Sequence, residues 1–252
     1  MRELIIGDIH GGYRALKQVL EAVNFDYEND KLISLGDVCD GWPDVAECIE
    51  ELMKIKNLIK IRGNHDEWTL DFLRYTLKNG VNEYGDTWYT QGGKATYLSY
   101  YNKPELVDKH IQYLEETELY HIDEQNRLFL HAGFNTDRPI DKQEKTTYFW
   151  DRVFWSDLTN GYLEGTDMFK EVYIGHTPTI SKFKHGRPVN ISNVWNMDTG
   201  ATYIGKLSIM DLNTKELTQS DPVFQLYPEH MGRNGKLVMD DPEWNKWGLF
   251  EG

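Results

Sequence analysis

The sequence predicts an α/β fold that begins with a parallel β-sheet. Three short apolar runs, at 1–6, 32–35 and 58–61, alternate with stretches of helical periodicity, and each run breaks into glycine and polar residues. Strands that alternate with helices pair in parallel through right-handed crossovers. Ligands of such sheets bind outside the carboxyl ends of the strands. The three polar turns therefore predict where a functional site lies.

The elements of the first quarter follow from these patterns. Strands are predicted at 3–6, 31–35 and 57–61. The apolar residues of 13–23 recur at the spacing of one helix face, which predicts the first helix. Pro43 suits the first turn of the second helix.

The remaining elements are predicted from the same two periodicities. Helices are expected at 67–78, 104–117 and 146–158, strands at 119–123, 127–130 and 171–174, and β character at 195–197, 203–210 and 216–219. The aromatic segment 85–101 has no clear periodicity. Because no repeat, low-complexity tract or linker interrupts the chain, we expect a single domain over 1–252, with 212–252 as a C-terminal extension.

Composition restricts the class of function. The chain has 252 residues, of which 40% are hydrophobic, and a formal charge of −14. This length is sufficient for a sizeable core. The acidic balance disfavours long nucleic acid as a partner, because phosphate neutralisation requires Lys and Arg. A phosphate substrate is still compatible, since bound divalent cations reverse the local sign.

The same patterns predict a cytoplasmic location. The longest apolar runs are too short to span a bilayer, so no membrane partner is expected. The first residues lack the apolar length and cleavage site of a signal peptide. Cys39 and Cys48 do not form the pattern of a disulfide framework, which favours a reducing compartment.

Metal-type side chains follow five of the predicted strands. The candidate ligands are Asp8, His10, Asp37, Asn64, His131 and His176. Carboxylate, imidazole and amide donors suit Mn²⁺, Fe or Zn²⁺. The set is too large for one tetrahedral site and fits two sites if a carboxylate bridges them. Asp37 is the predicted bridging ligand, because its strand should lie between the other two strands. Two metal ions about 3.5–4 Å apart are the usual arrangement for displacement reactions at phosphorus.

His65 is the candidate general acid. It follows Asn64 on one turn, so the two side chains point in different directions, and Asp40 is the candidate carboxylate that orients the imidazole. Asp66 is predicted to cap the following helix. Each motif alone also has a structural interpretation, as a capped turn or a core histidine. Their joint occurrence at five strand ends favours a metal site.

The motifs resemble those of a known family. They are Gly7–Gly11, Gly36–Gly41, Gly63–Asp66, His131–Gly133 and Gly175–Thr177. In identity and order they are similar to the five motifs of the calcineurin-like metallophosphoesterases, over roughly residues 2–211. The resemblance is strongest to the phosphoprotein phosphatase branch, which includes diadenosine tetraphosphate hydrolases.

This resemblance implies a two-sheet β-sandwich flanked by helices, in four αββα layers, with a dinuclear metal centre. Manganese is the first expectation for the two divalent ions, and iron, zinc and nickel are alternatives. The implied ligands are Asp8, His10 and Asp37 for one metal, and Asp37, Asn64, His131 and His176 for the other. His65, paired with Asp40, is implied as the acid for the leaving group.

One departure concerns the phosphate-binding residues. The family commonly has Arg after the second Asp of its second motif, where this chain has Gly41 and then Trp42. Arg152, in a Trp-Asp-Arg context, is carried over as a phosphate contact. Arg62 and Asn64 are further candidates for binding substrate. Trp42 is expected either to stack on a base or to pack in the core.

The leading functional hypothesis is a serine/threonine phosphoprotein phosphatase-like enzyme. It would hydrolyse phosphomonoesters with a metal-bridged hydroxide and His65 as general acid, and its partner would be a phosphorylated protein or a small phosphoester or nucleotide. One alternative, based on Trp42 and the aromatic segment 88–101, is a dinucleoside polyphosphate hydrolase. Another is a non-catalytic metal-binding scaffold, which the complete ligand set disfavours.

Overall fold

Two five-stranded β-sheets organise the described part of the chain. The computed structural model describes residues 2–76, 85–101, 103–230 and 233. In chain order the strands are β1 Glu3–Ile6, β2 Lys31–Ser34, β3 Asn57–Lys60, β4 Tyr120–Ile122, β5 Arg127–Leu130, β6 Glu171–Ile174, β7 Val189–Ile191, β8 Val194–Asn196, β9 Ser208–Asp211 and β10 Leu217–Gln219.

The first sheet has the strand order β10-β9-β1-β2-β3, and the second has the order β4-β5-β6-β8-β7. Neighbours among β1, β2 and β3 pair in parallel, as do neighbours among β5, β6 and β8. The strand β2 therefore lies between β1 and β3, as the sequence predicted. The antiparallel strands occupy the edges, and β10 places the start of the predicted C-terminal extension within the first sheet.

Helices cover the outer faces of both sheets. The α-helices of the described residues are α1 Tyr13–Ala22, α2 Val45–Leu52, α3 Asn64–Asp71, α4 Gly85–Trp88, α5 Lys94–Tyr100, α6 Val107–Glu115, α7 Lys145–Trp150, α8 Val153–Asn160 and α9 Val223–Leu226. Shorter helical turns cover Phe72–Thr76, Tyr89–Gly93, Pro104–Leu106, Ile140–Lys142 and Thr179–Ser181. None of these described helices has the length and apolar character needed to cross a bilayer.

The four-layer arrangement follows from alternation along the strands. In β1, Leu4 and Ile6 pack against the helices of the first sheet, whereas Ile5 packs between the sheets. In β5, Phe129 likewise faces the inter-sheet core, whereas its neighbour Leu128 faces the helices of the second sheet. Successive side chains of a strand point to opposite faces, so each central strand serves two core layers. The predicted αββα sandwich is confirmed.

Several predicted boundaries were wrong. The helix expected at 67–78 begins at Asn64, because the ligand turn itself forms its first residues, and positions 77–78 lie outside the described residues. The helix expected at 146–158 is divided into α7 and α8 at Asp151, whose Oδ1 accepts a hydrogen bond from the Phe154 amide. Within 203–210, only the part from Ser208 is a strand.

Candidate metal centre and active site

The candidate ligands meet where the carboxyl ends of the central strands face one another. All six are buried: Asp8, His10, Asp37, Asn64, His131 and His176 are at most 6% exposed. Four of them line a cavity of about 440 Å³: His10, Asp37, Asn64 and His176. The topology thus brings together residues that are up to 168 positions apart, such as Asp8 and His176.

Asp37 lies at the centre of the cluster. Its Oδ2 is 3.6 Å from Nε2 of His10 and 3.3 Å from Nε2 of His131. The same nitrogen of His131 is 3.2 Å from Oδ1 of Asn64, and Nε2 of His10 is 4.0 Å from Oδ2 of Asp8. A carboxylate between two imidazoles has the geometry required of a bridging ligand.

Backbone carbonyls orient two of the imidazoles. Nδ1 of His10 lies 3.1 Å from the Cys39 carbonyl, and Nδ1 of His131 lies 2.9 Å from the Leu35 carbonyl. A carbonyl only accepts, so each Nδ1 carries a proton and each Nε2 is the ring nitrogen that faces the cluster. This arrangement is usual for histidines that bind metals.

The donor set fits divalent cations. Nε2 of His176 is buried and has no hydrogen-bond partner among the described residues. Two groups, His10–Asp37–His65 and Asp37–His131–His176, each place their donor atoms within 4.8 Å of one another. The groups share Asp37, which suits a pair of cations. His65 belongs to the first group by distance, although its Nδ1 faces Asp40 instead.

The electrostatics of the cluster also favour cations. Burial, together with the charge of Asp198, raises the pKa of Asp8 well above its ordinary value. Burial would raise the pKa of Asp37 too, but His131 and the other histidines around it together outweigh burial and hold that pKa well below the usual range. Burial lowers the pKa of His10 to about 3. Three buried carboxylates repel one another, and positive ions in their midst would remove that repulsion.

Four residues of the site have a left-handed backbone conformation. His10, Asp37, Asp40 and His176 have φ values of 51°, 48°, 64° and 65°. A side chain in this left-handed region costs roughly 1–3 kcal/mol at each position. Such strain is found where the surrounding structure holds a side chain in a required direction.

Two glycines allow the ligand turns to approach one another. A Cβ added at Gly63 would lie 2.1 Å from Oδ1 of Asp37, and one added at Gly175 would lie 2.1 Å from Oδ1 of Asp8. Atoms cannot approach so closely. Each glycine therefore leaves the space that a ligand carboxylate occupies.

Asp40 holds His65 in place. Its Oδ2 is 2.7 Å from Nδ1 of His65, and the Asp40 side chain is fully buried. The carboxylate also accepts hydrogen bonds from Nε1 of Trp88 at 3.0 Å, Oγ1 of Thr96 at 2.5 Å and Oγ1 of Thr69 at 3.3 Å. The aromatic segment thus positions Asp40, a role that the sequence analysis missed because these residues are distant in the chain.

Asp66 connects two ligand turns. Its Oδ2 accepts a hydrogen bond from the Gly63 amide at 2.9 Å, which is the predicted helix cap. Its Oδ1 accepts further bonds from the amides of Val38 and Cys39 at 2.9 and 3.2 Å. Asp66 therefore sets the distance between the second and third motifs, in addition to capping α3.

The two predicted arginines occupy different places. Arg152 lines the cavity, and its Nη1 donates to Oγ1 of Thr177 at 3.1 Å. Arg62 is not among the cavity-lining residues; its guanidinium donates to Glu67 at 2.8 Å and to Thr117 at 2.6 Å. The bond to Thr117 connects the end of β3 to the end of α6, and the bond to Glu67 connects it to α3. The geometry therefore gives no support to the substrate contact expected of Arg62.

Trp42 is a packing residue. Its side chain is fully buried, its Nε1 donates to the Ala201 carbonyl at 2.8 Å, and its ring stacks on Tyr227 at 5.3 Å. Of the two roles expected for this residue, the structure shows packing. The ring cannot reach a base in the cavity.

The cavity also contains residues to which the sequence analysis gave no role. They include Gln91, Trp150, Ile180, Asp198, Tyr203 and Arg233. Burial raises the pKa of Asp198 to about 6. No local signal marks Gln91, Tyr203 or Arg233, since neither periodicity nor a motif accompanies them.

Comparisons with known proteins agree with this geometry. A family model described as calcineurin-like phosphoesterase matches residues 1–212. The chain is 27% identical over 215 residues to serine/threonine-protein phosphatase 1 of Salmonella typhimurium, covering 81% of this chain and 89% of that protein. It is 26% identical over 256 residues to the asymmetrical bis(5'-nucleosyl)-tetraphosphatase PrpE of Bacillus cereus strain Q1, covering 91% and 98%.

Solved structures share the fold. The crystal structure of a metallophosphoesterase from Sphaerobacter thermophilus superposes with a TM-score of 0.55 at 18% identity, over 94% of this chain and 97% of that one. The family match and the phosphatase relatives accord with the buried carboxylate–imidazole cluster. The chain is a hydrolase and belongs to the calcineurin-like phosphoesterase family.

Proposed function

We propose that the chain is a dinuclear metal-dependent phosphoesterase that hydrolyses phosphomonoesters of phosphoserine and phosphothreonine type. The observation that carries this proposal is Asp37, which lies between two imidazole groups and beside the His65–Asp40 pair. The Salmonella typhimurium relative, named as a serine/threonine-protein phosphatase, supports the substrate class.

The metal ligands belong to the proposal. Asp8, His10 and Asp37 would hold one ion, and Asp37, Asn64, His131 and His176 the other; manganese is our first choice, with iron, zinc or nickel as alternatives. When bound, the ions would polarise the phosphoryl oxygens and lower the pKa of the attacking water.

Protein side chains then bind the phosphoryl group and supply the proton. Arg152 reaches the cavity beside His176, where its planar guanidinium suits phosphoryl oxygens. Nδ1 of His65 donates to Asp40, so its Nε2 faces the cavity. In the imidazolium form, which carries a second proton on Nε2, His65 would deliver that proton to the leaving oxygen. Asp40 keeps the ring in this orientation, and its own bonds to Trp88 and Thr96 prevent it from rotating.

A second candidate substrate is a dinucleoside polyphosphate. This idea was based on Trp42 and the aromatic segment 88–101, and three of those residues, Trp42, Trp88 and Tyr100, are at most 1% exposed and inaccessible to a ligand. Tyr89 and Tyr101 of the segment are exposed but do not line the cavity. Two other aromatic residues favour it: Trp150 and Tyr203 line the cavity and are 41% and 38% exposed. Exposed rings can stack on bases. The relative from Bacillus cereus is named as a bis(5'-nucleosyl)-tetraphosphatase.

A substrate panel tests both candidates. The protein, reconstituted with Mn²⁺, would be assayed with phosphoserine and phosphothreonine peptides, an aryl phosphate and diadenosine tetraphosphate. We expect the highest kcat/KM with the phosphopeptides. A higher value for diadenosine tetraphosphate would select the second candidate, and no hydrolysis in any assay would refute the phosphoesterase function.

The proposal includes a cytoplasmic location. Cys39 and Cys48 are buried free thiols, which suits a reducing compartment. Fractionation of the producing cells would test the location directly.

A further inference from the structure

Arg233, from the C-terminal segment, places its guanidinium in the cavity. Its Nη2 is 3.0 Å from Nε2 of His65 and 2.9 Å from Oε1 of Gln91. Its Nη1 donates to the hydroxyl of Tyr203 at 2.9 Å, and the guanidinium lies 5.4 Å from the centre of that ring. The proposed catalytic roles do not use this residue.

The hydrogen-bond partners of Arg233 among the described residues carry no negative charge. They are an imidazole nitrogen, an amide oxygen and a phenol, and no carboxylate of the described residues forms an ion pair with it. Arg127, by contrast, is paired with both Glu3 and Asp123. A guanidinium that faces a cavity without a carboxylate partner is available to an anionic ligand.

Arg233 can exchange its contact with His65 for a contact with a bound phosphoryl group. A guanidinium only donates hydrogen bonds, so Nε2 of His65 accepts the bond from Arg233. A phosphoryl oxygen carries negative charge and is a stronger acceptor than a neutral imidazole. Bound phosphate would therefore attract the guanidinium and leave Nε2 of His65 directed at the substrate.

The backbone around Gly41 explains why this guanidinium comes from elsewhere in the chain. Gly41 has a φ of 104°, and an added Cβ would lie 3.0 Å from Oγ1 of Thr202 and 3.2 Å from Cβ of His10. Its amide donates to the carbonyl of Gly92, next to the Gln91 that holds Arg233. A side chain at Gly41 would be strained by this φ and crowded by Thr202 and His10, whereas Arg233 enters the cavity beside Gln91, the neighbour of Gly92.

We propose that Arg233 binds the phosphoryl group of the substrate together with Arg152. The two guanidinium groups would act from different parts of the cluster, since Arg152 lies beside His176 and Arg233 beside His65. This inference rests on the proposed phosphoesterase function. It assigns the C-terminal segment a direct part in substrate binding.

The test compares four full-length proteins after Mn²⁺ reconstitution: wild type, Arg233→Ala, Arg233→Lys and Arg138→Ala. Arg138 is exposed and outside the cavity, so its variant controls for the loss of one positive charge. Metal content, kcat and KM for a phosphothreonine peptide, and the Kd of inorganic phosphate by calorimetry would be measured for each.

We expect Arg233→Ala to raise KM and the phosphate Kd about 10–100-fold, as for loss of a charge-assisted hydrogen bond. Arg233→Lys should give an intermediate change, because the charge stays and the planar fork is lost. Metal content should be unchanged, and Arg138→Ala should resemble wild type. Tyr203→Phe, which removes only the hydroxyl that positions Arg233, should give a smaller change in the same direction.

Two results would overturn the inference. An active enzyme whose KM and phosphate Kd do not change in Arg233→Ala would show that Arg233 does not bind substrate. A higher kcat/KM in that variant would show that the segment blocks the site. A wild-type protein without phosphoesterase activity would instead overturn the proposed function, and the calorimetric comparison would still decide whether Arg233 binds phosphate.

Discussion

Replacing His65 with Asn separates its role as an acid from a role as a metal ligand. Its Nδ1 lies 2.7 Å from Asp40, whereas its ring is packed against His10 at a centroid distance of 5.0 Å. By distance it could join His10 and Asp37 around an ion. Its pairing with Asp40 favours the acid role, because the ring is turned to present Nε2 to the cavity.

The structure gives the size of the expected effects. Without the imidazole, the buried carboxylate of Asp40 loses one donor and keeps those of Trp88, Thr96 and Thr69. We expect a stability loss of about 1–3 kcal/mol, the usual effect of removing one partner of a buried charged group. Loss of a general acid should lower kcat by roughly 10²–10⁴-fold.

The choice of substrate makes the assay specific. A nitrophenyl phosphate releases an anion that is stable without a proton, whereas a phosphoserine peptide releases an alkoxide that requires one. The His65→Asn variant should therefore lose much less activity on the aryl phosphate than on the peptide. Equal losses on both substrates would contradict the assignment of His65 as the general acid.

Metal analysis supplies the second measurement. His65→Asn should retain nearly the metal content of wild type. His131→Asn is the matched control, because His131 contacts Asp37 and Asn64 within the cluster and should lose metal when replaced. A His65→Asn protein that lost metal as His131→Asn does would refute the reasoning.

Three further variants test other parts of the structure. Asp37→Asn should lower the content of both metals, because this carboxylate lies between the two imidazole groups; loss of one metal alone would exclude a bridge. In urea denaturation, the Gly63→Ala protein should be far less stable than the Gly161→Ala protein. The Cβ of Ala at position 63 would lie 2.1 Å from Oδ1 of Asp37. At Gly161, with a φ of 76°, no described atom lies within 4 Å of the added Cβ, and the expected loss of stability is about 1 kcal/mol. Burial raises the pKa of Glu51, but Lys54 and its other partners outweigh burial and lower the pKa below the ordinary value. The carboxylate therefore stabilises the fold above the unfolded pKa of about 4.3 and loses this effect as pH falls through the folded pKa. The urea midpoints of wild type and Glu51→Gln should accordingly differ near neutral pH and converge as the pH falls through the folded pKa, and a constant difference would contradict the sign.

Local sequence was sufficient for the ligand turns. Each turn joins an apolar strand to a glycine and a metal-type side chain, and all of these signals lie within about ten residues. The order of strands then follows from alternation with helices, which is why β2 was correctly expected between β1 and β3. The metal-ligand assignments themselves stay predictions until metal content is measured.

The positions of the supporting residues could not be obtained in this way. Trp42 and Trp88 have the same residue type, yet one packs on Tyr227 and the other donates to Asp40. Likewise, Arg62 directly precedes the Gly63–Asp66 motif and Arg152 ends a Trp-Asp-Arg sequence, but only Arg152 lines the cavity. Burial and side-chain direction decide these roles, and neither is a property of residue type.

The sequence by itself determined the α/β class, the five ligand turns and the pairing of His65 with a carboxylate, because these depend on local patterns and on a few general rules of strand connection. Only the tertiary structure decided that Asp66 joins two turns, that Trp88 supports Asp40 and that Arg233 reaches His65. Arg233 and His65 are 168 positions apart. Contacts of this kind arise from how the layers pack together, so no pattern within a short segment can specify them.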